Sequence, residues 1–257
     1  IEKKRKKERN KNIFLKVDKL QNENKVKEAT FELNKGEILG IWGLLGSGRT
    51  ELVRSIIGLD GQPKGTIRIN KHGKLTPISA ENLSRITAYV SEDRRGEGVL
   101  LPMPVLKNTA LPNLKKVSGN FGIIMLKKAR DLATRVIDSL SIKVSGFDQT
   151  VGTLSGGNQQ KIVFGKWLET EPDLLILDEP TRGLDISAKG EILKLATNLA
   201  NNGVSILFIS SELEELMKIS DRYLILSERY VVAELPGDST QDSLISALSK
   251  IVQGSAA

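Results

Sequence analysis

Eight consecutive residues, Gly43, Leu44, Leu45, Gly46, Ser47, Gly48, Arg49 and Thr50, have the types and spacing to hold an anion. Gly43, Gly46 and Gly48 open backbone conformations closed to other residues, so successive amide N–H groups can turn inward on a phosphate. A helix starting near Gly48 would aim the positive end of its dipole at the same point. Thr50 could place its hydroxyl on Mg²⁺. Arg49 stands where a lysine usually reaches the phosphates; it keeps the charge but is planar, forked and bulkier than an ammonium. Taken alone, a glycine-rich turn that binds nothing is the competing reading.

The same logic picks out two further stretches. Leu174-Leu175-Ile176-Leu177 reads as a buried strand that delivers Asp178 at its carboxyl end, where a carboxylate can hold Mg²⁺, and Glu179 follows, placed to orient or deprotonate an attacking water. Leu154-Ser155-Gly156-Gly157-Asn158-Gln159-Gln160 begins a helix with a serine and two glycines. Exposed amides, a hydroxyl and a helix dipole can there face a second anion.

The elements around these stretches supply their context. Ile38 to Trp42 is an apolar run with the character of a buried strand, and Glu51 to Ile57 has helical spacing ended at Gly58, so the first loop joins strand to helix. Ile13 to Leu20, Glu28 to Leu33, Gly65 to Asn70 and Thr87 to Val90 read as strands, the last leading into a charged loop, Ser91 to Gly96. His72, the only histidine, falls in a polar turn with no second ligand near it. Leu126, Ala129, Leu132, Ala133, Val136, Ile137 and Leu140 fall on one helical face. Later strands at 173–177 and 204–209 alternate with helices at 186–200 and 212–218, and Tyr223 to Ala233 reads as a hairpin. That alternation predicts a mainly parallel sheet with crossovers.

Composition narrows the class. With 39% hydrophobic and 27% charged residues over 257, the chain suits a globular protein with a sizeable core, and the lack of cysteine excludes disulfides and thiolate sites. The most apolar runs, Gly98 to Leu106 and Val117 to Leu126, are interrupted by Pro or Gly and are shorter than the roughly 18 residues of a membrane span. The segment from Val99 to Leu106 suits either internal packing or a docking surface for a partner. Seven basic and two acidic side chains among residues 1–11 carry +5 of the net +7, which leaves +2 for the rest. The basicity is therefore a property of the tail, read as a solvated linker rather than a nucleic-acid site. A start at Ile1 with no targeting pattern leads us to expect a fragment of something longer.

Two anion cradles plus an Asp-Glu pair resemble the nucleotide-binding domain of ATP-binding cassette (ABC) proteins, with residues 154–160 as the signature motif. The variant details, Leu-Ser-Gly-Gly-Asn-Gln-Gln-Lys (154–161), Ser-Glu-Asp-Arg (91–94), Asp-Glu-Pro-Thr-Arg-Gly-Leu-Asp (178–185), Ser-Ser-Glu-Leu (210–213) and Arg49, are similar to the second cassette of double-cassette ATPases that energise bacterial monosaccharide importers of the ribose, galactose, xylose and arabinose type. The resemblance implies an α/β fold of the P-loop NTPase type, with a mixed sheet core at 12–97 and 171–235, a helical subdomain at 98–170, a basic linker at 1–11 and a C-terminal helix or tail at 236–257. It implies ATP and Mg²⁺ as ligands, with Glu92 where a glutamine commonly contacts the metal and water, and Ser211 where a histidine usually contacts the γ-phosphate. No aromatic residue lies between Leu20 and Ala29, where many cassettes stack one on adenine.

The departures at Arg49, Glu92 and Ser211, set beside an intact Asp178, Glu179 and signature, lead us to expect a weak or idle site on the chain's own phosphate loop. Ser155, Gly156, Gly157 and Asn158 would complete the site of a partner cassette. Arg182 and Asp185 resemble the loop through which opposed cassettes sense each other. The implied partners are a first cassette of the same polypeptide (or a second copy in isolation), membrane permease subunits that Leu101 and Met103 would meet, and indirectly a sugar-binding protein. The implied location is the cytoplasmic face of the membrane. The competing functions are a non-transport cassette acting on nucleic acid or ribosomes, and a regulatory pseudo-ATPase that binds nucleotide without turning it over.

Overall fold

The computed structural model describes residues 12–254; the expected basic linker at 1–11 lies outside the described residues. The chain divides into two units. Among the described residues, the first holds 12–87, Asp173–Glu179 and 193–254, and the second holds Ala88–Pro172 and Pro180–Ile192.

The strands are β1 (Ile13–Asn22), β2 (Val26–Asn34), β3 (Ile38–Gly43), β4 (Lys64–Lys71), β5 (Lys74–Pro77), β6 (Thr87–Val90), β7 (Leu174–Asp178), β8 (Ser205–Ile209), β9 (Arg222–Ser227) and β10 (Tyr230–Pro236). The helices are α1 (Arg49–Ile56), α2 (Ala80–Ser84), α3 (Val105–Ala110), α4 (Leu114–Val117), α5 (Leu126–Ser139), α6 (Gly156–Leu168), α7 (Ile186–Asn201), α8 (Leu213–Ile219) and α9 (Gln241–Gly254).

In the first unit the strands run in the order β5-β4-β1-β2-β10-β9-β3-β8-β7. β3, β7 and β8 are buried at every residue, as continuous apolar runs should be. They pair in parallel, β3 with β8 and β9, and β7 with β8. The expected mainly parallel sheet is only half the sheet. β1, β2, β4 and β5 pair antiparallel, because their alternating burial suits strands with one wet face joined by short turns. β5 escaped the sequence reading; it has four residues, none buried.

The second unit is helical apart from β6. α5 turns Ala129, Leu132, Ala133 and Val136 inward. Asn113 ties the start of α4 to α6 by donating to the Lys166 carbonyl at 2.8 Å. The run from Val99 to Leu106 is packed inside only in part. Val99 and Val105 are core and Leu101 is half-buried, while Leu100 and Met103 face water. Asn108 holds the run in place, accepting from the Leu100 amide at 2.8 Å and donating to the Leu100, Met103 and Pro104 carbonyls. The charged loop closes as a π-helical turn, Arg94–Gly98.

Candidate functional site

β3 ends at Gly43, and the chain must turn there beneath the β9–β10 hairpin. A Cβ at Gly43 would sit 2.4 Å from the Leu226 carbonyl oxygen and 2.5 Å from Ser47 Oγ, so only glycine fits. Gly46 and Gly48 take φ of +77° and +96°, and Gly48 N-caps α1 without a side-chain hydrogen bond. The first-turn amides of α1, carried by Arg49 and Thr50 onward, are thus left facing outward without helical partners. Arg229, in the hairpin turn, donates its amide to the Ser47 carbonyl at 2.9 Å and braces the loop from behind. Leu44 and Leu45 hold their side chains in water, Leu45 at 98% exposure, while their backbone shapes the cradle.

Opposite the loop, within the same unit, a charge cluster gathers residues from far apart in sequence. Asp178 is fully buried at the end of β7, and Glu179 follows with φ of +47°, a left-handed conformation that costs a non-glycine residue about 1 kcal/mol. Its amide donates to the Ile209 carbonyl at 3.0 Å, which holds the turn. One carboxylate oxygen of Glu179 lies 3.5 Å from Arg49 Nη2, and the other accepts from Ser211 Oγ at 3.1 Å. Arg49 Nη1 also donates to the Ser210 carbonyl at 3.2 Å. Ser210 is itself held, donating from Oγ to Glu215 at 3.0 Å. Arg49 and Glu179 are both buried. At such a distance the attraction is about 4 kcal/mol near a protein surface, partly offset by desolvation of the pair.

The structure therefore brings Arg49, Glu179 and Ser211 together. Sequence reasoning assigned the three separately, quoted Ser210 in the Ser-Ser-Glu-Leu stretch without a role of its own, and missed Arg229. Arg229 sits in a two-residue turn with Glu228, both at positive φ, that lacks the usual Asn or Gly.

The second unit carries the other candidates. Ser155 is exposed and N-caps α6, its Oγ accepting from Asn158 N at 3.4 Å and Asn158 Nδ2 at 3.0 Å. Asn158 Oδ1 in turn accepts from the Lys143 amide at 3.1 Å. A Cβ on Gly156 would lie 3.4 Å from an Arg94 guanidinium nitrogen, and one on Gly157 3.3 Å from Ala188 Cβ. Burial, reinforced by neighbouring Arg95, lowers the Arg94 pKa from its ordinary value. Arg94 was read as part of a charged loop and of the Ser-Glu-Asp-Arg stretch (91–94), without a role of its own. Glu92 is ion-paired with Arg182, and Asp185 accepts from the Ala188 amide at 2.9 Å as a cap for α7.

A model of the ABC transporter family matches residues 26–182. The chain belongs to the ABC transporter family. It is 39% identical over 240 residues to the ribose import ATP-binding protein RbsA 2 of Rhizobium etli, an alignment that covers 93% of this chain and 47% of that protein. It is 41% identical over 221 residues to the galactose/methyl galactoside import ATP-binding protein MglA of Mannheimia succiniciproducens, covering 84% of this chain and 43% of that one. The chain spans about half the length of the curated relatives it matches. The crystal structure of a nucleotide-free ATP-binding cassette from an ABC transporter superposes with a TM-score of 0.75 at 19% identity, covering 93% of this chain and 98% of that one, so the fold is that of an ABC cassette.

The phosphate loop of this ABC cassette has the features of an anion site. The space a Gly46 Cβ would enter is open, and Ser47 Oγ is buried with no hydrogen-bond partner among the described residues, a donor waiting at the base of the loop. Both observations fit a bound phosphate chain. Arg49, at the start of α1, already has a carboxylate partner in Glu179.

Proposed function

We propose that the chain is the ATP-binding domain of a sugar importer's motor, and that its two anion cradles serve different nucleotides. The ribose and galactose import proteins it resembles supply the substrate class. The loop at 43–50 would grip the phosphates of one ATP through its amides and Ser47. Thr50 and Asp178, with Glu92, would hold Mg²⁺, whose bound charge neutralises the phosphate oxygens during transfer. Glu179 would orient the attacking water and Ser211 would stand toward the γ-phosphate.

The observation that carries this reading is the Arg49–Glu179–Ser211 cluster. A carboxylate that neutralises the loop's cation weakens the pull on the β and γ phosphates. The same guanidinium and the Ser211 hydroxyl occupy the two carboxylate oxygens that would have to meet the attacking water. The chain's own site is therefore slow or idle. Ser155, Gly156, Gly157 and Asn158, with Ser155 in water at a helix N-terminus, complete the working site of an opposed cassette, the first one of the same polypeptide or a second copy when the chain is alone. Leu101 and Met103 face the permease subunits, a sugar-binding protein feeds those subunits, and the cassette sits peripherally on the cytoplasmic face of the membrane.

Reconstitution of the two-cassette protein with its permease and binding protein tests this. Gly157→Asp places a carboxylate against the opposed nucleotide, and ATP-driven sugar uptake into vesicles falls by on the order of a hundredfold or more. Uptake unchanged by Gly157→Asp overturns the assignment.

A further inference from the structure

The segment between α4 and α5 carries an apolar surface that neither the core nor the nucleotide site uses. Val117 to Met125 fold back as a small hairpin: Ser118 and Ile124 form an antiparallel bridge, the Gly119 amide donates to the Ile123 carbonyl at 2.8 Å, and the Met125 amide donates to the Val117 carbonyl at 2.9 Å. Its tip is Phe121, at 99% exposure and with φ of +62°. A bulky side chain in the left-handed region is strained, and here no packing within the chain offsets it. Ile123, Ile124, Met125 and Leu126 are exposed as well, so five of six successive residues hold apolar side chains in water. Single exposed apolar residues are ordinary, but a run of this kind marks an interaction surface.

The charge around the run identifies what it meets. No Asp or Glu occurs between Glu97 and Asp131, while Lys115, Lys116, Lys127, Lys128 and Arg130 flank the hairpin on both sides. Lys116 is engaged by Glu171 and Lys128 by the Ser118 carbonyl. Lys115 and Lys127 are exposed and have no acidic partner among the described residues. An apolar tip flanked by cations, in a stretch from 98 to 130 that holds no Asp or Glu, complements a surface that is oily beneath a negatively charged layer.

We infer that the 117–125 hairpin, with its lysine collar, is a membrane-interface contact that inserts Phe121 and Ile124 among the headgroups of anionic lipids. This contact is additional to any docking on the permease. It rests on the peripheral-membrane reading above only for its setting, because lipid partitioning requires neither nucleotide nor sugar.

The lack of cysteine makes the test direct. Phe121→Cys carrying a polarity-sensitive fluorophore, in the 257-residue chain, reports from the hairpin alone. With vesicles of phosphatidylcholine containing about a third phosphatidylglycerol, its emission shifts to the blue; with phosphatidylcholine alone the shift is small. In vesicle sedimentation of unlabelled chain, Phe121→Ser with Ile124→Ser weakens partitioning by about tenfold or more, and Lys127→Gln by about fivefold at low salt. Both variants keep the thermal midpoint, since the altered side chains are in water. Three results overturn the proposal: a fluorophore at 121 silent toward anionic vesicles; partitioning that survives Phe121→Ser with Ile124→Ser but vanishes when residues 1–11 are deleted; or a shift that appears only when permease is added. Lost binding of a fluorescent ATP analogue with intact vesicle binding would count against the cassette reading and leave this one standing.

Discussion

Helices α1 and α6 both begin at glycine-rich turns, yet the two starts differ in what meets them. At α1 a guanidinium from the helix itself is buried against Glu179, which also accepts from Ser211. At α6 the capping Ser155 faces water, and its hydroxyl accepts from Asn158, three residues further along. The first start is electrically closed on its own unit and the second is open. Similar backbone physics therefore gives unlike sites, and the side chains opposite each helix end, more than the glycines, decide what each can bind.

Breaking the loop itself has the largest expected effect. Gly43→Ala puts a methyl group into a backbone carbonyl that cannot move cheaply, so the chain loses roughly 1–3 kcal/mol of stability and all measurable binding of a fluorescent ATP analogue. A normal midpoint with normal binding would refute the crowding described at Gly43. Next comes the charge that separates the two starts. Arg49→Lys exchanges a forked guanidinium for a compact ammonium that can leave Glu179, and ATP affinity and turnover at this loop rise by on the order of tenfold. Unchanged titration and turnover would mean that the pair does not restrain the site.

The open side is sharpened by pH. Lys166, on α6, is buried with its ammonium donating to the Gly98 carbonyl, and burial lowers its pKa to about 8. The unfolded chain titrates near 10.5, so between about pH 8 and 10.5 it binds more protons than the folded one, and stability rises with pH across that window. The rise amounts to at most about 3 kcal/mol, and below pH 8 the penalty for burying the charge is present in full. Lys166→Met flattens this rise in denaturant titrations made across the window; a variant that keeps the wild-type slope would show that Lys166 is not its source. The smallest effect belongs to the cap: Ser155→Ala costs about 1 kcal/mol, or roughly 2–4 °C in the thermal midpoint, and leaves nucleotide binding at the chain's own loop unchanged.

The strand, glycine turn and helix around residues 43–50 were legible because three glycines follow a continuous apolar strand, and β3, β7 and β8 because strands buried on both faces read as unbroken runs. The start of α6 was legible from Ser155 and its glycines. What sequence hid was tertiary. Arg49 and Glu179 were each read as facing a nucleotide, and only the fold shows that they face one another. The antiparallel half of the sheet was underread because β5 is short and exposed. The hairpin at 117–125 was read only as part of an apolar run, Val117 to Leu126, too short to span a membrane, and its exposure shows only in the coordinates.

The central claim is that Glu179 restrains the loop it faces while the α6 cradle serves another cassette. ATP turnover by the full two-cassette protein carrying Glu179→Gln tests it most directly. The account predicts turnover and transport close to wild type, because the working site borrows Ser155 and Gly157 from this chain and has no need of Glu179. Turnover abolished by Glu179→Gln would contradict it, since the carboxylate would then be the base of an active site at residues 43–50.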